Sequence, residues 1–111
     1  MISTQYINLD LTIPYRQVIY SKTGDTNRYV EITLFNGGEA WDVPSGASGS
    51  CYATDCWGNH FSSSSVSYED NVATVKLPTI SSIGTCSAEL KITQGQSVST
   101  FNFYIDVYES A

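Results

Sequence analysis

At 111 residues the chain has the length of one domain and can bury a single core. Eleven acidic residues against five basic ones leave a formal charge of −6 and a pI near 4.3, which excludes the basic surface that grips phosphate backbones, so no nucleic acid is expected as a direct partner. The start, MISTQYINLDLTIPY, has no basic n-region, and no apolar run approaches the roughly 20 residues of a membrane-crossing helix, so neither a membrane partner nor a secretion signal is expected.

Tyr6 to Ile13 alternates, with Ile7, Leu9, Leu11 and Ile13 on one side and Tyr6, Asn8, Asp10 and Thr12 on the other. A period of two marks a strand, which Pro14 closes. Gln17 to Tyr20 reads as a second short extended piece before the turn chemistry of Ser21 to Asn27. Arg28 to Phe35 alternates again, with Val30, Ile32 and Leu34 inward, and Asn36-Gly37-Gly38 ends it with residues that tolerate positive φ. Trp41 to Gly49 reads as a loop, Ser50 to Thr54 as a short strand, and Trp57-Gly58-Asn59 as its turn. The serine run Ser62 to Ser65 reads as a solvated connector into a strand carrying Val66 and Tyr68. Glu69-Asp70-Asn71 is a compact turn, and Ala73, Val75 and Leu77 form the inward face of a strand that Pro78 stops. Thr79 to Gly84 has the one hint of helix, a single turn. Thr85 to Thr93 and Val98 to Tyr108, joined by Gln94-Gly95-Gln96, complete the chain.

Strands at this spacing, with no longer helical period, predict an all-β fold: an antiparallel β-sandwich of about seven to eight strands, one domain spanning 1–111. It is immunoglobulin-like in architecture only, because Cys51 precedes Trp57 by too little for the cysteine, tryptophan, cysteine signature. Cys51, Cys56 and Cys86 are odd in number and fit no framework, so free thiols are expected, with a Cys86–Cys51 bridge left open to geometry. Cys86 alternates in phase with Ala88, Leu90 and Ile92, as a small buried hydrophobe does.

Catalytic chemistry finds little footing. His60 stands alone beside Phe61, and no nucleophile-elbow motif surrounds any serine. Cys51, Cys56 and His60 have the spacing C-x₄-C-x₃-H, which no structural zinc pattern shares. Asp10 and Asp106 fall outward on terminal strands that could be neighbours, yet a paired-carboxylate glycosidase also needs a deep cleft. No enzyme activity, catalytic residue, metal or cofactor is expected.

The last strand raises the sharper question. Phe101, Phe103, Ile105 and Val107 form a plain core face, while Thr100, Asn102, Tyr104, Asp106 and Tyr108 mix polar groups with large aromatics that water does not favour. Tyr6, Tyr29 and Phe35 also fall outward by parity. Tyrosines gathered on one surface suit a protein interface, since they bury large area and keep a polar handle. The interface candidates are Tyr6, Tyr29, Tyr104, Asp106 and Tyr108. The alternative is a carbohydrate-binding module for host cell-wall polysaccharide, with Trp41, Trp57, Asp42, Asp55 and Asn59 as its platform.

Taken in order, Gly24-Asp25-Thr26-Asn27-Arg28 before the Val30, Ile32, Leu34 strand, then Asn36-Gly37, Trp41-Asp42-Val43-Pro44, Asn71 to Pro78, Ile83-Gly84 and Ser99-Thr100-Phe101 to Val107 resemble the N-terminal domain of the phage baseplate upper protein (BppU) family. The likeness runs from about Tyr6 to Ser110. Where the family has a P-D-G turn, this chain has Thr54-Asp55-Cys56-Trp57-Gly58. The resemblance implies a β-sandwich at the N-terminus of a longer phage or prophage tail protein, made in the bacterial cytoplasm and carried in the virion. It implies a structural role: docking to the baseplate and supporting receptor-binding parts. The implied partners are other baseplate and tail proteins and further copies in a homo-oligomer such as a trimer, with host polysaccharide met through other domains.

Overall fold

The computed structural model describes residues 3–12 and 17–109. Ten strands follow in chain order: β1 (Ser3–Asp10), β2 (Val18–Lys22), β3 (Arg28–Asn36), β4 (Glu39–Ala40), β5 (Ser48–Thr54), β6 (His60–Ser63), β7 (Val66–Glu69), β8 (Val72–Lys76), β9 (Gly84–Gln94) and β10 (Ser97–Tyr108). One sheet runs β1-β3-β8-β7 with the two-residue β4 on β3; the other runs β2-β10-β9-β5-β6. The two sheets pack face to face as the expected β-sandwich.

Alternation builds both inner faces. Ile7 and Leu9 of β1, Val30, Ile32 and Leu34 of β3, and Ala73 and Val75 of β8 meet Cys51 and Ala53 of β5, Leu90 and Ile92 of β9, and Phe101, Phe103, Ile105 and Val107 of β10. All are buried, and the largest, Phe101 and Phe103, sit on the long β10 that anchors its sheet. Ile13 and Pro14, expected to end the first strand, lie outside the described residues, as does Ser110.

Two features refine the expectation. The count exceeds seven or eight because β4 and β6 are short strands set in stretches that read as loop, turn and connector. Each sheet is also mixed, since β1 pairs β3 in parallel and β2 pairs β10 in parallel, while every other pairing is antiparallel. β2, between β1 and β3 in sequence, lies in the opposite sheet, and β3 lies beside β1 in the same direction. Among the described residues there is no helix. The expected helical turn at Thr79 to Gly84 is irregular chain instead, because Ile80 is fully buried in the core and its carbonyl accepts the Gly24 N–H at 3.0 Å. Burial of one apolar side chain outweighs a weak local helix preference.

The two edge strands on one side are tied together by a side chain. Gln5 of β1 accepts the Tyr20 N–H at 2.9 Å and donates to the Tyr20 carbonyl at 2.6 Å, so its carboxamide does for β2 what a neighbouring strand would do. An edge residue with both backbone groups satisfied no longer offers them to another chain.

Candidate docking surface

β10 carries an outer face whose register places Tyr104 opposite Val18, Asp106 opposite Tyr20 and Tyr108 opposite Lys22. Tyr20 and Tyr108, diagonal neighbours across the parallel pair, stack with ring centroids 5.9 Å apart and planes inclined at 29°. Each ring is about half exposed, at 50% and 54%. Val18 is exposed beside them, Tyr104 is half-buried, and Asp106 accepts the Thr85 hydroxyl at 2.7 Å from β9. The next row of the same face pairs Asn102 with Glu89 and Glu89 with Tyr52, which is also exposed. Lys22 and Lys91 stand on this face with Glu89 and Asp106, so its charges balance although the chain as a whole carries −6.

The five interface candidates therefore do not form one patch. Tyr104, Asp106 and Tyr108 come together on the outer face of the β2-β10-β9-β5-β6 sheet. Tyr6, 72% exposed, and the half-buried Tyr29 lie on the outer face of the other sheet, opposite Glu31 and Lys76 respectively. Parity separates inside from outside but not one outer face from the other. Tyr20 and Val18 belong to the patch and were missed. Their signal was weak, because in Val18-Ile-Tyr-Ser-Lys22 the buried set is Ile19 and Ser21, and a buried serine breaks the apolar alternation.

The structure does not bring the five residues of the tryptophan platform together. Trp41 packs edge-on against Phe101, centroids 5.4 Å apart at 62°, and closes one end of the core. Trp57, 77% exposed, follows Cys56, whose Sγ lies 3.8 Å from where a Cβ on Gly84 would sit, and Gly84 pairs with Val107. Six residues of β10 separate Phe101 from Val107, roughly 20 Å at strand rise, so the two rings sit at opposite ends. Asp42 and Asn59 are exposed, whereas Asp55 is buried and organises the Trp57 turn. Its carboxylate accepts the Ser82 hydroxyl at 2.6 Å, the backbone N–H groups of Asn59 at 2.8 Å and Trp57 at 2.9 Å, and the Asn59 carboxamide at 3.1 Å. Donation from Ser82, then from Asn59 and Trp57, holds its pKa down at about 2 against burial.

Asp10 has a similar task at another turn. It accepts the Thr12 N–H and hydroxyl at 2.9 and 2.8 Å and the N–H groups of Gly37 and Gly38 at 3.0 and 2.8 Å. These bonds, the Thr12 N–H foremost, hold its pKa down at about 2. Asp10 thus braces the β3–β4 turn while Asp106 bonds Thr85 on the far sheet, and the two carboxylates share no cleft. Cys51, buried against Leu90, and His60, exposed with Nδ1 3.0 Å from the Thr54 hydroxyl, do not converge with Cys56 either. The three cysteines are free. Cys51 pairs with Leu90, four residues along β9 from Cys86, so their Cα atoms are about 14 Å apart by strand geometry, far beyond disulfide reach. Burial, reinforced by Glu89, pushes the Cys51 thiol up to about 12. A shallow polar hollow of about 310 Å³ lies on the outer face of the β1-β3-β8-β7 sheet, among Glu31, Ser67, Glu69, Asp70 and Thr74.

Compared with protein-family models and with curated proteins, the chain matches none.

Proposed function

We propose that the chain is a structural module of a phage or prophage tail baseplate, which docks through the outer face of β2 and β10 and works by contact rather than catalysis. The exposed Tyr20–Tyr108 stack with Val18 and Tyr104 beside it carries this reading, because half-exposed rigid aromatics on a flat sheet are the side chains from which interface hot spots are made. The ordered likeness to the baseplate upper protein family supplies the setting, with other tail proteins as neighbours in the virion. The contact put to test is with a second copy of the chain. Copies carrying −6 each repel, and this face, with two lysines against two carboxylates, is where they can approach at least cost. Light scattering across a concentration series should report an oligomer that Tyr20→Ala with Tyr108→Ala abolishes. A strict monomer at every concentration would remove self-association through this face.

A carbohydrate-binding reading keeps one observation, the exposed Trp57 ring on a turn stiffened by Asp55. Quenching of its fluorescence by host wall polysaccharide, lost in Trp57→Ala, would favour that reading; an unchanged spectrum would end it.

A further inference from the structure

Asn36-Gly37 is an asparagine followed by a residue without a Cβ, at an exposed turn, and nothing stands within 4 Å of the Gly37 position where a side chain would project. That is the arrangement in which an asparagine modifies itself. The Gly37 backbone nitrogen attacks the Asn36 side-chain carbonyl carbon and loses its proton, the C–N bond to the side-chain nitrogen breaks, and ammonia leaves. Water then opens the resulting succinimide to aspartate or to isoaspartate, so no reactant beyond water is consumed. In this fold the attacking nitrogen is not free, because the Gly37 N–H donates to Asp10 at 3.0 Å while Gly38 donates to the other carboxylate oxygen at 2.8 Å.

We infer that Asn36 is a self-modification site and that the Asp10 carboxylate guards it. The attack requires the Gly37 nitrogen to lose its proton. With Asp10 ionised, that step builds a second negative charge about 3 Å from the first, and it also breaks the bond that fixes the amide plane. Repulsion at that distance, taken in water, is worth about a tenfold rate difference, and less solvent raises it. Acid–base assistance from Asp10 is a poor offset, since a carboxylate held by four donors is a weak proton acceptor. The consequence of modification is local. Isoaspartate adds a methylene to the main chain at the β3–β4 turn, five residues before Trp41, whose N–H bonds the Leu34 carbonyl at 3.0 Å and whose ring closes the core on Phe101.

The test incubates the full chain at mildly alkaline pH and follows Asn36 by peptide mapping, using the mass gain of amide-to-acid exchange and labelling by an isoaspartyl methyltransferase. Wild type, Asp10→Ala, Asp10→Asn and wild type unfolded in urea are compared, with circular dichroism confirming which samples are folded. The expected order is slowest in folded wild type, about tenfold faster in the folded Asp10 variants, and fastest in urea. Asp10→Asn keeps an acceptor oxygen without the charge, so it reports on the guard even where Asp10→Ala fails to fold. Folded Asp10→Asn reacting at the wild-type rate would overturn the inference. So would folded wild type reacting as fast as the unfolded chain.

Discussion

Gly49 on β5 lies under the tip of Tyr68 on β7, across the gap between the sheets. A Cβ built there would sit 1.6 Å from the Tyr68 hydroxyl oxygen, 2.9 Å from its Cζ and 3.3 Å from a Val66 methyl. Gly49→Ala therefore forces one of two responses. If the ring keeps its place, the β5 backbone must move away from it, at about 1–3 kcal/mol. If it swings out, the fold gives up the burial of a large aromatic, about 1.5–3 kcal/mol. Both routes end near 2 kcal/mol, which for a domain of this size lowers Tm by about 8–10 °C. The Tyr68 hydroxyl is itself buried with no hydrogen-bond partner among the described residues, and burial raises its pKa. Removing an unsatisfied buried hydroxyl is neutral or stabilising, so Tyr68→Phe should unfold at or slightly above the wild-type temperature. In the Tyr68→Phe background Gly49→Ala should cost about 1 kcal/mol less, a coupling measurable in a double-mutant cycle by thermal and urea unfolding. Gly49→Ala at the wild-type Tm, or strictly additive effects, would refute the close approach.

Three further outcomes follow from the same geometry. The carboxyls of Asp10 and Asp55 are held at about 2 in the fold against an ordinary 3.8, so both favour the folded state when ionised; that stability is complete above about pH 4 and drains as pH falls toward 2. Wild type should lose Tm steeply across that window, and Asp55→Asn should start lower at neutral pH and fall less; equal slopes would refute the role of Asp55. Gln5→Ala removes both bonds to Tyr20 and should lower the urea midpoint by the equivalent of about 1–2 kcal/mol with an unchanged m-value; an unmoved midpoint would show that water replaces the clasp at no cost. A thiol reagent should modify one cysteine of the native chain, Cys56, and three after unfolding, because Cys51 and Cys86 are buried thiols; rapid native reaction of Cys51 would contradict its place in the core.

The core was legible where side chains alternate without interruption. Val30, Ile32 and Leu34, Ala73 and Val75, and the four inward residues of β10 all face as their parity requires, because a one-residue slip would turn the whole set into water. The docking face was half legible. Tyr104 and Tyr108 stand out on a long strand, but their neighbours Val18 and Tyr20 come from a five-residue edge strand whose inward positions include a serine. Nothing local tells Tyr6 and Tyr29 that they belong to the other sheet, since sheet membership is decided by two crossovers of the chain. Trp41 is a loop residue without a period, so its contact with Phe101 left no trace in the pattern. Asp10 and Asp55 did leave one: an aspartate two residues before a backbone N–H it can accept is a turn signal, although the residues alone also allow Asp10 a carboxylate pair with Asp106 and Asp55 a place in a sugar platform.

Once these internal tasks are assigned, the outer aromatics of β2 and β10 stand out as side chains that the fold underuses. Their truncation should separate assembly from stability. Tyr108 is half exposed, so Tyr108→Ala forfeits about half the burial of a full aromatic and its stack on Tyr20, together about 1–3 kcal/mol. Tyr20→Ala added to it should cost less than it does alone, since the stack is already gone. Phe103, on the inner face of the same strand and 2% exposed, should cost about 3–5 kcal/mol on truncation to alanine. Urea unfolding of the three variants, alongside light scattering, reads both effects on the same samples. Equal destabilisation by Tyr108→Ala and Phe103→Ala would make the outer ring a core residue, and the spare aromatic surface on which docking rests would not exist.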